Sequence, residues 1–510
     1  MAAYMILRLA FVAVLGGLVA VASGAENWPQ WRGPYFNGST TEKGLPTQWS
    51  RTNNVAWAAP LPGYSSATPV VWEDSVFLSS PDEQKKLLLI CLDRKTGQPR
   101  WRKVVAGEDR QAGRNNMASP SPATDGKRVF SLFATGDLAA FDFAGQQLWK
   151  RNLAREYGGF ANMWIYGSSP MLHGGKLYVQ VLQRNPCPDD YTHARDDKPE
   201  RESFLLCLDP QTGRNLWRHV RPTDARDEAQ EAYSTPVPYT GKRGAEILIV
   251  GANYVTAHSP DTGAELWRCG GLNVRREHYW RIVPTPVVAD GMIIACGPKR
   301  DPVLAIKEGG TGLVTDTHIA WQFKEFPSDC VTPLFYQQRL FVLDGDRQMM
   351  TCLEPKTGVT KWQGNLGVRD IFRASPTGAD GKVYCLSEKG TVLVLDAGDE
   401  FKILSTIHMG EAPVRSSIAV AHGALFIRTA NSLYCISNPT TAKGRISSVP
   451  PLPNPAKAGA PTCSRLKTSV GTNRASRVAG HPKPTASRRS GGSHEMRSHK
   501  QQTQLNRKKL

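Results

Sequence analysis

Among its ten cysteines the sequence has no two adjacent and no Cys-x-x-Cys pair, so nothing in it spells a structural zinc site. It also lacks a Gly-x-Ser-x-Gly elbow, a Gly-Lys-Ser/Thr phosphate loop and a glycine fingerprint between a strand and a helix. Those absences remove serine hydrolases, phosphate-loop enzymes and dinucleotide-binding enzymes from consideration. Helical periodicity is missing, and beyond the first 25 residues no apolar run is long enough to cross a membrane. Acidic residues are nearly absent from one region. Thr441 to Leu510 holds 15 Lys and Arg against the single Glu495, a net of +14, which leaves +4 of the formal +18 for everything before it.

The two ends differ from the middle. Met1 to Ala25 has one early cation, Arg8, an apolar run from Leu9 to Ala22, and then small residues, the layout of a secretory signal. The chain is therefore expected to be exported, to the periplasm or the outside, with no membrane span after cleavage. No Cys follows the cleavage region to carry a lipid anchor. Residues 26–53 form a lead segment, and residues 440–510 read as a disordered, Ser- and Pro-rich basic tail. As a partner for that tail a polyanion is conceivable, although stacking aromatics are missing.

What fills the middle is a repeat. Leu206-Cys207-Leu208-Asp209, a turn closed by Gly213, and a strand carrying Trp217 recur as Cys91 to Trp101, Cys352 to Trp362 and, with more drift, Ser259 to Trp267. In each, the Trp follows the Gly by four residues. A second landmark is Ser or Thr before Pro, with a bulky apolar residue eight positions later, as at Pro69 and Phe77, Pro122 and Phe130, or Pro170 and Tyr178. Counting both gives eight units of four strands with Asp-Gly and Thr-Gly turns, an all-β, eight-bladed β-propeller over residues 54–439. The eighth unit lacks a Trp strand, and Asn54 to Ala58 is a Trp strand with no unit before it. Pairing the two closes the ring, with Trp57 completing the last blade. Cys91, Cys207, Cys352 and Cys435 occupy one repeat position and read as small buried hydrophobes rather than disulfides.

The Asp-x-x-Thr-Gly-x-x-x-Trp spelling at Asp209 to Trp217 resembles the tryptophan-docking motif of propellers of the pyrroloquinoline-quinone (PQQ) repeat type. The resemblance makes Trp57, Trp101, Trp149, Trp217, Trp267, Trp321 and Trp362 its structural carriers. Departures are the shortened turn before Trp149, the irregular Gly309 to Gly312 stretch before Trp321, and a seventh unit with no Trp. Catalytic relatives of this type use PQQ with calcium, commonly under a vicinal Cys pair that this chain lacks. The chain is more similar to the noncatalytic branch, to outer-membrane assembly propellers of the BamB type or to uncharacterised exported PQQ-repeat proteins. The favoured expectation is thus an exported, monomeric binding or scaffold propeller for a protein, peptide or glycan, with no cofactor and no catalytic residue. A PQQ- and calcium-dependent oxidoreductase acting on an alcohol or sugar is the alternative.

In such a blade, with strands A to D counted outward, short A–B and C–D turns share one face and the varied B–C and D–A loops share the other. The segments before the innermost strands offer Asn115 and Asn116, Trp164 and Tyr166, Glu228, then His278, Trp280 and Arg281, then Asp329, Asp370 and Arg373, and Arg415. These are the candidate ligand- or partner-binding residues. Arg beside aromatic rings suits a planar or anionic ligand through forked hydrogen bonds and stacking. The longest insertion, Gln183 to Ser203, lies on the same face. Its carboxylates fit no calcium-loop spacing, so it reads as a charged surface loop and no metal residue is assigned.

Overall fold

A computed structural model of the chain describes residues 26–50, 53–194, 196–198 and 200–439. The signal and tail readings fall outside those residues. No helix among the described residues is long and apolar enough to cross a membrane.

Eight blade sheets are present among the described residues, each built on four antiparallel strands numbered here A to D from the axis outward, one of them with an added fifth strand. Blade 3 is representative: Met171–His173, Lys176–Val181, Phe204–Leu208 and Asn215–Val220. The middle strands are buried on both faces, and the outer one is half exposed. Blade 8 takes its outer strand from the other end of the chain. Val55–Pro60 runs antiparallel to Ser432–Ser437, with Trp57 opposite Cys435.

The Ser/Thr-Pro landmark has a structural meaning that its spelling alone does not reveal. In every blade the Ser or Thr hydroxyl accepts the backbone N–H of the equivalent residue in the preceding blade. The series runs Thr68 to Ser121, Ser169, Thr235, Thr285, Thr332, Ser375 and Ser417, at 2.9–3.2 Å, and Ser417 N–H returns to Thr68. Blade-starting amides that face a neighbour rather than a ladder partner are thus satisfied, as buried backbone donors require. The belt is a closed circle of eight bonds around the axis.

A second circle lies farther out. Trp57, Trp101, Trp149, Trp217, Trp321 and Trp362 each donate the indole N–H to a backbone carbonyl at the C–D turn of the next blade, at 2.8–3.1 Å. At all of these but Trp362, the turn Gly sits directly beneath the ring. At Gly213 a Cβ would lie 2.8 Å from the Trp149 indole, and the residue's φ of +71° already favours glycine. The repeated Cys is explained by the same contact. Across strands C and D, each Trp stands opposite a Cys or an Ala: Cys91, Ala140, Cys207, Ala257, Ala305, Cys352 or Cys435. A small side chain there leaves room for the indole. The nine described cysteines are free, and burial pushes the Cys207 and Cys352 thiols up to about 12, which makes them packing rather than redox groups.

Trp267 departs from the expected docking role. Its indole N–H goes to Glu246 of its own blade at 3.1 Å, and the residue is fully buried. The cause is the irregular stretch before blade 5's outer strand. Gly312–Leu313 lies parallel to Glu265–Cys269 as a fifth strand of blade 4, with Gly312 opposite Trp267. In blade 7, whose outer strand Ile403–His408 has no Trp, an indole arrives from the lead segment. Trp49 is buried in the same apolar cluster as Ile407 and donates to Met409 Sδ at 3.3 Å.

Candidate functional site

The lead segment crosses the ring on the side of the A–B turns. Trp28 pairs with Val71, Pro29 accepts from Thr124, Gln30 makes two bonds to Leu172, and Gly38 and Thr40 bond to Gly378, so the segment touches blades 1, 2, 3 and 7. Arg32 is buried at its centre, donating to the carbonyls of Asn37, Pro333 and Pro376. Burial lowers its guanidinium to about 9, so it stays charged at neutral pH. Beside it, Trp31 forms the floor of an axial cup of about 280 Å³ that opens on the opposite face, among the D–A loops.

The wall of the cup follows a simple rule. Strand-like alternation brings the landmark Ser/Thr and the residue two before it toward the axis. The latter set, in order round the ring, is Ser66, Ser119, Gly167, Tyr233, Val283, Cys330, Arg373 and Arg415. Gly113, Arg114, Asn115, Trp164 and Arg281 complete the wall. Guanidinium groups therefore come from the loops before blades 2, 5, 7 and 8, and the aromatic residues Trp164 and Tyr233 from those before blades 3 and 4.

Each cation has an anchor. Arg281 forks onto Asp329, both Nη to Oδ distances being 3.2 Å, with Glu228 3.6 Å from its Nε. Arg373 donates to Asp346 at 2.6 Å. Arg415 Nε reaches Glu388 Oε1 at 2.6 Å, its Nη1 donates to Tyr64 and to the Arg114 carbonyl, and Arg114 Nε lies 3.1 Å from the same Glu388 oxygen. Two guanidinium groups thus share one carboxylate, leaving a positive charge over on that side.

The aromatic side is held by buried acids. Glu228 accepts the Trp164 indole N–H at 3.1 Å, and the Tyr233 hydroxyl accepts the Trp164 backbone N–H. Glu231, fully buried, accepts from Met163 N–H, Tyr191 and Tyr233 at 2.7–2.9 Å. The insertion is tied into this arrangement, since Tyr191 belongs to it and His193 bonds the Asn162 carbonyl. Trp164 remains 41% exposed on a loop whose backbone is pinned.

Burial lifts the Glu231 carboxyl from 4.5 to about 7, against the opposing pull of the hydrogen bonds from Tyr191, Met163 and Tyr233. In the unfolded chain the group ionises at its ordinary pKa. Its favourable contribution to folding is therefore complete below about pH 4.5 and is lost as pH rises through about 7, by on the order of 3 kcal/mol. Urea titrations at a series of pH values should show wild type losing stability relative to Glu231→Gln across that window. A pH-independent difference would contradict the assignment.

The remaining sequence candidates lie elsewhere. Tyr166 is fully buried and donates to the Gln180 carbonyl, and Asn116, also buried, donates to Tyr64 O. Asp370 is committed to the Ser387 and Thr391 hydroxyls beneath the loop. His278 bonds Asp227 beside a separate cleft that includes Asp224 and Arg226, and the Trp280 indole is held by Asp301. Asp329 and Glu228 stand behind the lining as anchors. Residues just before strand A thus do not all face the axis; those in the longer loops turn back to bond their own neighbours. Arg114, Cys330 and Trp31 were missed. Counting back three positions from each landmark Pro finds Cys330, whereas the lead segment has no period that would have flagged Trp31.

The donor set does not fit calcium. The carboxylates nearest the cup, Asp329, Asp346 and Glu388, each face a guanidinium that repels a second cation. Among the described residues no group of three His, Cys, Asp or Glu is placed to hold a metal ion.

A family model described as outer membrane protein assembly factor BamB matches residues 13–185 and 251–402, more than half of the chain. Among solved structures, BamB from Moraxella catarrhalis is similar at TM-score 0.52 and 14% identity, over 75% of this chain and 97% of that one. A europium-containing methanol dehydrogenase is similar at TM-score 0.59 and 11% identity, over 80% and 90%. The quinohemoprotein alcohol dehydrogenase from Comamonas testosteroni follows at 0.57 and 12%, over 83% and 82%. At these identities the structural likeness establishes the fold alone. No curated protein matches the sequence.

Proposed function

Because the chain belongs to the family of the outer membrane protein assembly factor BamB, we propose that it is a noncatalytic docking propeller that works after export and presents its cup-bearing face to a protein or peptide partner. One observation carries this reading. The two faces are unequal: the lead segment covers the A–B side, while the D–A side opens on a polar cup and exposes Trp164, Val274, Tyr279 and Ile371. Large apolar residues interleaved with Arg around a concave site have the composition of interface centres. A pinned, exposed indole is a preorganised anchor, since its ordering cost is met before a partner arrives.

Photo-crosslinkers placed at Val274 and Ile371 should trap a partner in the cell envelope, and one at Lys127, exposed on the A–B side, should not. Trp164→Ala should reduce that capture by about tenfold or more, the scale of an interface hot spot. Equal capture from both faces would sink the proposal.

A further inference from the structure

The cup is blind and its charge is uneven. Trp31 closes the far end, and about 280 Å³ is at the small end of sites that take even a drug-sized ligand. A polypeptide that entered and reversed would need a second strand roughly 4.8 Å from the first. A chain that ends inside needs only one. On one side Arg114 and Arg415 share the single carboxylate of Glu388, and the two Nη atoms of Arg114 carry no hydrogen bond among the described residues. An ammonium-bearing chain start would be repelled there, whereas a carboxylate would complete the forked donor set. Adjoining the two Arg residues, Trp164 rests its ring on Gly113 and stays 41% exposed.

We infer that the cup receives the carboxyl-terminal end of a partner polypeptide, its α-carboxylate on Arg114 and Arg415 and a terminal apolar side chain against Trp164. The inference rests on the docking reading of this face and names the part of the partner that enters. Capture of a chain terminus by a fixed set of donors is a recurring mode of peptide recognition.

A fluorescein-labelled Gly/Ser peptide ending in Phe with a free carboxylate tests it by anisotropy. Two further peptides run beside it: the same sequence as its carboxyl-terminal amide, and a cyclic peptide with an internal Asp-Phe. The free acid should bind saturably and the amide about tenfold or more weakly, the loss that follows removal of one charge-assisted hydrogen bond. Arg114→Gln should weaken the acid to the level of the amide with an unchanged melting temperature, because Arg114 is half exposed. Acid and amide binding alike, or Arg114→Gln binding like wild type, would overturn the inference. If the cyclic peptide binds and the free acid does not, a side-chain carboxylate occupies the cup; the terminal reading falls and the docking reading stands. Binding by none of the three also overturns the terminal reading, while the docking reading is judged by the crosslinks from Val274 and Ile371.

Discussion

Trp57→Ala is expected to cost about 3–5 kcal/mol, the scale of removing a buried tryptophan. Trp57 is only 3% exposed and does three things at once. It packs on the Gly97 turn of blade 1, donates to Arg94 O at 2.8 Å, and anchors the strand that joins the beginning of the ring to its end. Truncation leaves a cavity and a carbonyl without its donor, and it loosens Val55–Pro60 from Ser432–Ser437, exposing a sheet edge. The loss should appear as a lower urea midpoint together with faster amide exchange in Leu433 to Ile436. Trp149→Ala, at a boundary whose strands are contiguous in the chain and whose indole is only partly buried, should cost less. Equal costs for the two variants would show that closure adds nothing to ordinary docking.

Arg281→Ala is expected to destabilise the fold by about 2–3 kcal/mol, below the scale of a fully buried pair, because it strands a carboxylate that is only 17% exposed. Burial by itself would raise the Asp329 carboxyl. The charge of Arg281, the Lys299 amide at 2.7 Å and the guanidinium hydrogen bonds outweigh that and hold it below the ordinary carboxylate range. A carboxyl depressed in this way contributes stability above its unfolded pKa and loses it as pH falls through the folded value. Without Arg281, Asp329 is expected to take up a proton more readily, so the deficit of the variant should shrink as pH is lowered toward about 4. Adding Asp329→Asn to Arg281→Ala should recover most of the loss at neutral pH. Simple additivity of the two substitutions, measured by urea unfolding, would remove the coupling. A consequence for binding work follows: loss of capture on Arg281→Ala is confounded by unfolding, whereas Arg114 and Trp164 are exposed enough to test the cup itself.

Much of the architecture was legible because a propeller repeats its instructions. Each blade interacts mainly with the next, so every contact recurs at the same interval and shows as a period. The Gly that precedes Trp217 by four, the Cys opposite that Trp and the Ser or Thr before each Pro are therefore visible as spelling, even where their purpose emerged only from the coordinates. Trp267 shows the limit. Its Gly-to-Trp spacing matches the others, and an added strand at Gly312–Leu313 reassigns it.

Sequence alone determined the all-β class, the eight units, six of the seven expected carriers of the blade docks and the terminal strand that completes the last blade. Tertiary structure decided the site. Arg32 reaches carbonyls 301 and 344 residues away, and no period encodes such a contact, so the floor under Trp31 and the one-sided opening were invisible. The loops that look alike as lists of Arg, Asn, Trp and carboxylate were likewise sorted only by folding. Tyr166, Asp370 and Trp280 turned to nearby partners, while Arg114, Arg373 and Arg415 were held at the axis by carboxylates from other loops. Local polarity is written residue by residue, but whether a charge is spent on a neighbour or left facing a cavity depends on where distant segments bring its partner.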